Sequence, residues 1–322
     1  MKTRMALVAT ALAVLATGCG SGRPDVAAPP AYQAPRPVGV QDPAVIATGS
    51  AGPAPNCDPL ASLRPTGPRP VPGAMPAGSP MATIAARGRL IVGVDQNTLL
   101  FGFRDAATGE IVGFDVDIAK EVAAAIFGDW RGHLQLVAIS SAQRIPFVLE
   151  RKVDLVAKTM TMNCDRWRQV SFSTQYYEAG QKVLVGRDST AKGIDDLGGK
   201  KVCAAAGTTS IQNIAAAASK PIPVSVRDWT DCLVLLQQGQ VDAVSTDDTI
   251  LAGFAAQDPT TRLVGAAFTS EPYGLAMHPN APDFVRFVNG VLDRMRSDGT
   301  WAAIYRRWLG GSATPPVARY RD

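Results

Sequence analysis

Histidine is almost missing from this 322-residue chain: there are two, His133 and His278, and neither lies near another metal-binding residue. No Cys-x-x-Cys pair accompanies them, and no Ser-His-Asp or Cys-His grouping can be assembled. A zinc site and a nucleophilic triad both lack their parts, so no catalytic and no metal-ligating residue is assigned. Charge of one sign is equally scarce. Lys and Arg number 32 against 28 Asp and Glu, a net charge of +4, and no dense basic run occurs, which removes the electrostatic footprint of a nucleic-acid partner. Nor does any stretch approach the roughly 18 uninterrupted apolar residues of a membrane-spanning helix.

Proline is present in quantity but unevenly placed: of 24 residues, fifteen fall between Pro24 and Pro80. The chain thus divides into a head, a tether and a body. In the head, Lys2 and Arg4 precede a largely apolar stretch at residues 5–15, which reads as an export signal. It ends in Leu15-Ala16-Thr17-Gly18-Cys19, which resembles the lipobox of bacterial lipoproteins, with Ala16 where that motif more often has Leu or Val. The resemblance implies a signal peptide over 1–18, a diacylglycerol thioether on Cys19, and a place on the extracytoplasmic face of the cell membrane. The competing reading is a secreted protein with an unrelated cysteine. Residues 19–80 are rich in Pro, Ala, Gly and Ser without periodicity, and predict a semi-extended spacer.

Beyond Cys19 the cysteines are Cys57, Cys164, Cys203 and Cys232. An even set in an exported chain reads as disulfides, with three pairings open. Cys203 lies in a strand-like run and Cys232 at the opening of a helix in the same half. These two are paired, which leaves Cys57 with Cys164 to tie the end of the tether to the body.

From residue 81 onward, short β-branched runs alternate with helical patterns. Strands are expected at 90–94, 134–139, 153–157, 201–205, 222–226 and 241–244, with helices at 114–127, after Ser141, after Gly207 and at 232–238. The alternation predicts α/β sheets with largely parallel strands. Phe284, Phe287, Val288, Val291, Leu292 and Met295, followed by Trp301, Ile304 and Trp308, make an apolar stripe that reads as core packing. A crossing near residue 180 and a return near 270 suggest two lobes: 81–180 with 271–310 returning to it, and 181–270, followed by a tail over 311–322.

Ligands in open α/β sheets bind beyond the carboxyl ends of strands. Four such places carry polar groups: Asp95-Gln96-Asn97-Thr98, residues 159–166, Gly207-Thr208-Thr209-Ser210, and Ser245-Thr246-Asp247-Asp248. Each has a plain alternative. Gly-Thr-Thr-Ser is a common capped helix start, Arg166 by itself fits a surface ion pair, and Asp247-Asp248 fits capping acids. The Gly207 segment lacks the Lys and the length of a phosphate loop. Together, an anion-binding helix start, an Arg and an Asp at cleft-facing strand ends suit an α-amino acid.

The motif Gly113-Phe114-Asp115-Val116-Asp117-Ile118-Ala119 resembles the signature of the polar amino-acid-binding proteins of ABC transporters. Ile139-Ser140-Ser141-Ala142-Gln143-Arg144-Ile145-Pro146 resembles a Ser-x-Asn-Arg-Ile-Pro segment of glutamate/aspartate-binding members. Val153-Asp154-Leu155 to Phe172-Ser173, Gly207 to Ser210, Thr246 to Gly253, and Asp298-Gly299-Thr300-Trp301 to Arg307-Trp308 extend the likeness over residues 85–310. With the lipobox and tether, the chain resembles actinobacterial, and in particular mycobacterial, glutamate/glutamine-binding lipoproteins. The resemblance implies a periplasmic-binding-protein-like fold of two α/β lobes with a hinge and an interlobe cleft. It implies no enzyme activity and no cofactor.

Carried onto this sequence, the resemblance implies that Arg166, Thr161 and the amides of Thr208 and Thr209 hold an α-carboxylate, while Asp247 and Thr159 take the α-ammonium. Ser141 and Arg144 would meet a side-chain carboxylate, and Trp229 would line the pocket. Asp95 departs from the pattern: glutamate/aspartate binders have Arg there, whereas glutamine binders have an Asp that accepts from the amide. An acid, an amide or both fit this mixture. If an acid binds, Asp95 should pair with Arg144 or another donor; Lys158 is an unassigned charge beside the site. The implied action is cleft closure about 178–183 and 269–273 in a monomer, recognised by an ABC permease or by a membrane sensor. An enzyme alternative on the same fold, of the cyclohexadienyl dehydratase kind, needs a general acid or base over a reacting carbon, which these residues do not supply.

Overall fold

Leu90–Val94 is apolar at every position and almost wholly buried, so it belongs in the middle of a sheet covered on both faces. In the computed structural model, which describes residues 34–46 and 57–321, it lies between Leu134–Ala138 and Leu155–Ala157. Both neighbours are parallel to it, and Ala276–Met277 and Ser171–Phe172 extend the sheet antiparallel. The second sheet repeats the plan. Lys201–Ala205 lies between parallel strands Ile222–Val226 and Ala243–Asp247, and Gln181–Gly186 and Thr261–Val264 follow antiparallel.

The sheets are therefore mixed rather than largely parallel. Gln181–Gly186 enters the second sheet straight from the crossing segment, without the helical crossover that a parallel neighbour needs. Between the sheets, Tyr177–Ala179 and Glu271–Tyr273 run antiparallel as a two-stranded link. Each lobe has its own core.

The helix Phe114–Phe127 begins after Gly113, whose φ of 141° and contact with the Phe101 carbonyl leave no room for a side chain. Its acids are structural: Asp117 accepts from Trp308 Nε1 at 2.7 Å, and Asp115 from the Tyr176 hydroxyl at 2.8 Å. The apolar stripe forms the helices Pro282–Ser297 and Thr300–Leu309, and Trp301 packs edge-on against Phe114 at 6.0 Å. Two local readings change. The helix expected to open at Cys232 starts at Trp229, because Asp228 and Asp231 form a capping box there. A small sheet of Asn97–Thr98, Gly102–Arg104 and Ile111–Val112 fills a stretch that carried no strand signal.

The signal peptide and Cys19 lie outside the described residues. Where the tether is described, it differs from a spacer. Gln41 and Ser225 exchange backbone hydrogen bonds at 2.9 and 3.0 Å, Lys201 Nζ donates to Asp42 at 2.7 Å, and Val40, Ala44 and Ile46 pack on the second lobe's core. Farther on, Ala61–Ser62 pairs in parallel with Arg319–Tyr320 of the tail. Ser62 Oγ donates to the Phe172 carbonyl at 2.6 Å, and Asn289 Nδ2 donates to Ser62 Oγ at 2.9 Å and to the Leu63 carbonyl at 2.7 Å. Single long-range partners of this kind leave no periodic trace in a sequence.

Among the described residues two disulfides are present, Cys57–Cys164 and Cys203–Cys232, with Cα separations of 6.1 and 5.6 Å. The first spans 107 residues and fastens residues 57–65 beside the short helix Cys164–Trp167. Closing so long a loop restricts the unfolded chain, worth about 2–4 kcal/mol. Replacing both Cys57 and Cys164 by Ser is therefore expected to lower the unfolding free energy by that amount, read as a lower denaturant midpoint; an unchanged midpoint would refute the bridge's role.

Candidate functional site

The parallel strands of both lobes end at the same crevice. Asp95 follows Leu90–Val94, Lys158 and Thr159 follow Leu155–Ala157, Gly207 and Thr208 follow Lys201–Ala205, and Asp247 ends Ala243–Asp247. All four polar segments noted in the sequence are thus brought together. The lobes touch around them. Arg144 of the first lobe donates to the Gly207 carbonyl of the second at 3.3 Å, and the Thr161 and Thr209 hydroxyls lie 3.3 Å apart. Gly207 has φ +74°, and a Cβ there would sit 2.8 Å from Ala142 Cα, so this approach needs glycine. A cavity of about 340 Å³ opens beside this contact, lined by Ser141, Arg144, Met160, Arg166 and Gly207 among others.

Asp95 and Lys158 form a buried ion pair, with residues 4% and 2% exposed. The partner of Asp95 is therefore Lys158 and not Arg144. Burial alone would raise the Asp95 carboxyl, but the Lys158 charge and hydrogen bonds, including one from the Asn97 amide at 2.9 Å, outweigh it and hold the pKa below its ordinary value.

Arg144 is buried among carbonyls. Nε donates to Ser141 at 3.0 Å, and Nη1 donates to Lys158 and Thr159 at 3.2 and 3.3 Å. Thr159 has a φ of 39°, a strained value for a β-branched residue. Its amide donates to Asp115 Oδ2 at 2.9 Å, so the motif acid at the start of Phe114–Phe127 holds that turn in place.

Arg166 is buried too, which excludes the surface ion pair. Its Nη1 donates to the Thr161 carbonyl at 2.6 Å, and Asn163 caps its helix by accepting from the Arg166 amide at 2.9 Å. Burial first, then the nearby Arg144 charge, bring Arg166 down to about 9, still cationic at neutral pH. Thr208 caps Thr209–Ala216, accepting from the Ile211 amide at 3.2 Å and donating to the Ala205 carbonyl at 2.7 Å. Its hydroxyl is committed, but the first amides of that helix have no partner within it.

Sequence reasoning missed Glu271. From the interlobe link it accepts from the hydroxyls of Thr161 at 2.6 Å, Thr209 at 2.8 Å and Thr269 at 2.8 Å. Tyr273, two residues on, donates to Asp247 Oδ2 at 2.6 Å. Asp247 does not cap the helix Asp248–Gln257 with its side chain. Burial first, then the Glu271 charge, push its carboxyl up to about 7. Among the described residues, the buried side-chain polar atoms without a hydrogen-bond partner are Asp247 Oδ1 and Trp229 Nε1. Trp229 heads a helix that neighbours Asn97–Thr98 of the other lobe.

The arrangement is a closed crevice between two lobes, with two buried guanidiniums, an ion pair, and an acid with one oxygen unpartnered. Residues 90–311 match the bacterial extracellular solute-binding proteins, family 3. The chain belongs to that family.

This family 3 protein is 37% identical over 230 residues to the ABC transporter glutamine-binding protein GlnH of Bacillus subtilis, a match covering 71% of this chain and 84% of that one. It is 30% identical over 234 residues to the glutamate-binding protein GluB of Corynebacterium glutamicum, covering 69% and 79%. A solved structure of an ancestral arginine-binding protein bound to glutamine aligns with a TM-score of 0.65 at 33% identity, over 70% of this chain and 99% of that one. The two-lobed α/β architecture is that of periplasmic binding proteins. The chain is a solute-binding receptor rather than an enzyme, of a family that works outside the cytoplasm.

Proposed function

We propose that the crevice binds an amino acid, an acidic one such as aspartate or glutamate and also their amides, and that the protein presents it to an ABC permease. The observation that carries this reading is the unpartnered Asp247 Oδ1, a buried acceptor in the same crevice as Arg144 and Arg166. A buried polar atom costs free energy unless paired. An α-ammonium would satisfy Asp247, and an α-carboxylate would take Arg166 with the Thr208 and Thr209 amides. The names of the Bacillus and Corynebacterium relatives support a ligand of the glutamate/glutamine kind. Ser141 and Arg144 would face the ligand's side chain, Thr159 would assist Asp247, and Trp229 Nε1 would donate to the ligand. Calorimetry with aspartate, glutamate, asparagine and glutamine tests the reading; no heat from any of them would overturn it.

The Asp247 pKa gives the reading a pH dependence. The charged carboxylate is the form that holds an ammonium, and in the closed crevice it is lost as pH falls through about 7. Affinity is expected to be full above that value and to fall below it by up to about tenfold per pH unit. A flat profile from pH 8 to 5 would contradict the assignment.

Anchoring through Cys19 and delivery to a permease complete the proposal. Mass spectrometry of the membrane-extracted protein reads the first, and labelled uptake after gene deletion reads the second. Unchanged uptake would replace the permease by a membrane sensor as partner.

A further inference from the structure

Asp95 has no acceptor capacity left. Oδ1 takes the amides of Gln96 and Asn97 at 2.7 and 2.9 Å, and Oδ2 takes the Thr98 hydroxyl at 2.9 Å and the Lys158 ammonium. Four bonds are about what one carboxylate accepts. An amide-bearing ligand therefore finds no acceptor in this acid. Lys158, in turn, spends one of its three N–H donors on Asp95. Its backbone carbonyl receives Arg144 Nη1 at 3.2 Å, which places a second cation beside it. Arg144 itself bonds only to carbonyls among the described residues. Of the two buried cations in this corner, Lys158 has a carboxylate in direct contact, Asp95, whereas Arg144 feels Asp247 and Asp95 without an ion pair among the described residues. Asp228 adds a weaker, more exposed charge to Lys158. With Asp247 given to the ligand's ammonium and Asp115 turned to Tyr176 and the Thr159 amide, the corner favours a further negative charge.

Resting on the amino-acid reading above, we infer that Lys158 sets the preference for an acidic over an amide side chain. It withdraws Asp95 from ligand contact, and with Arg144 it leaves a positive corner that a second carboxylate fills. Removing Lys158 reverses both effects, because Asp95 keeps its bonds from Gln96, Asn97 and Thr98 but loses its counter-charge and regains one acceptor position, which repels an acid and receives an amide.

The test is calorimetry on the full chain, comparing wild type, K158M, D95N and the double variant D95N/K158M with aspartate, asparagine, glutamate and glutamine. The expected readout is the acid-to-amide affinity ratio. In K158M it should move toward the amides by about a hundredfold, the usual size of breaking a buried charge pair. In D95N, where Lys158 is released, the ratio should move toward the acids. A structural role would lower all four affinities together, and that result would overturn the inference. Should K158M fail to fold, the double variant, which buries neither charge alone, must still lose the acid preference; retention would overturn the inference equally. A wild type that binds none of the four removes the amino-acid reading and this inference with it. A wild type that binds while the K158M ratio stays fixed removes this inference alone.

Discussion

Replacing Arg166 by alanine is expected to weaken every amino acid by about 30- to several-thousand-fold, the 2–5 kcal/mol that follows when one partner of a buried charged hydrogen-bonded pair is removed. The loss should be indifferent to the ligand's side chain, because Arg166 is assigned to the α-carboxylate that all amino acids share. Folding should be little affected. The guanidinium is desolvated, its internal bond goes to one carbonyl, Thr161, and among the described residues it makes no ion pair, the Glu271 and Asp247 charges offsetting its burial only in part. A buried cation of this kind is a burden on the empty protein, so the R166A melting midpoint is expected to match or exceed the wild-type one. Calorimetry and thermal unfolding on the same sample separate the two effects. Unchanged affinity, or a collapse in stability that explains lost binding, would contradict the role.

The second large effect is expected from Asp247→Asn. Tyr273 fixes one carboxylate oxygen and leaves the other unpartnered, so the variant keeps the shape and loses the charge that would meet an α-ammonium. Affinity should fall by about a hundredfold at pH 8, and the decline below pH 7 should shrink, because the carboxyl that would meet the ammonium is gone and the group left near 7 is Asp115, which reaches the site through the Thr159 amide. Stability moves the other way. The native carboxyl, at about 7 against an ordinary 3.8, binds its proton more tightly than in the unfolded chain. Native stability therefore decreases as pH rises from about 4 to 7, and the penalty is complete above 7. Asn carries no such penalty, so the ligand-free variant should melt higher than wild type at pH 8 and by much less at pH 4. Equal midpoints at both values would show that Asp247 is not held in the environment described.

Much of the fold is legible in the sequence because it rests on local signals. The helix Phe114–Phe127 follows from its periodicity and from Gly113, and Leu90–Val94 from an apolar run too short for a helix. The strand ends that carry Asp95, Thr159, Thr208 and Asp247 are legible for the same reason. What is not legible depends on distant partners. Lys158 and Asp95 lie 63 positions apart, and nothing at either position announces the other. Glu271 and Tyr273 sit on a three-residue strand with no motif of their own, and they matter because Thr161, Thr209 and Asp247 converge on them. The tether misleads for a related reason. Its composition predicts no core of its own; among the described residues, 36–46 and 57–65 borrow the cores and strand edges of the body.

In the proposed complex an amino acid lies between the two lobes with its carboxylate on Arg166 and its ammonium on Asp247. A crystal structure of the protein grown with glutamate tests it most directly. Density is expected in the crevice, with a carboxylate within hydrogen-bonding distance of the Arg166 guanidinium and the Thr208 and Thr209 amides, and an ammonium on Asp247 Oδ1. Glutamate bound elsewhere on the surface, or Arg166 and Asp247 engaged with each other or with solvent while the crevice stays empty, would contradict it.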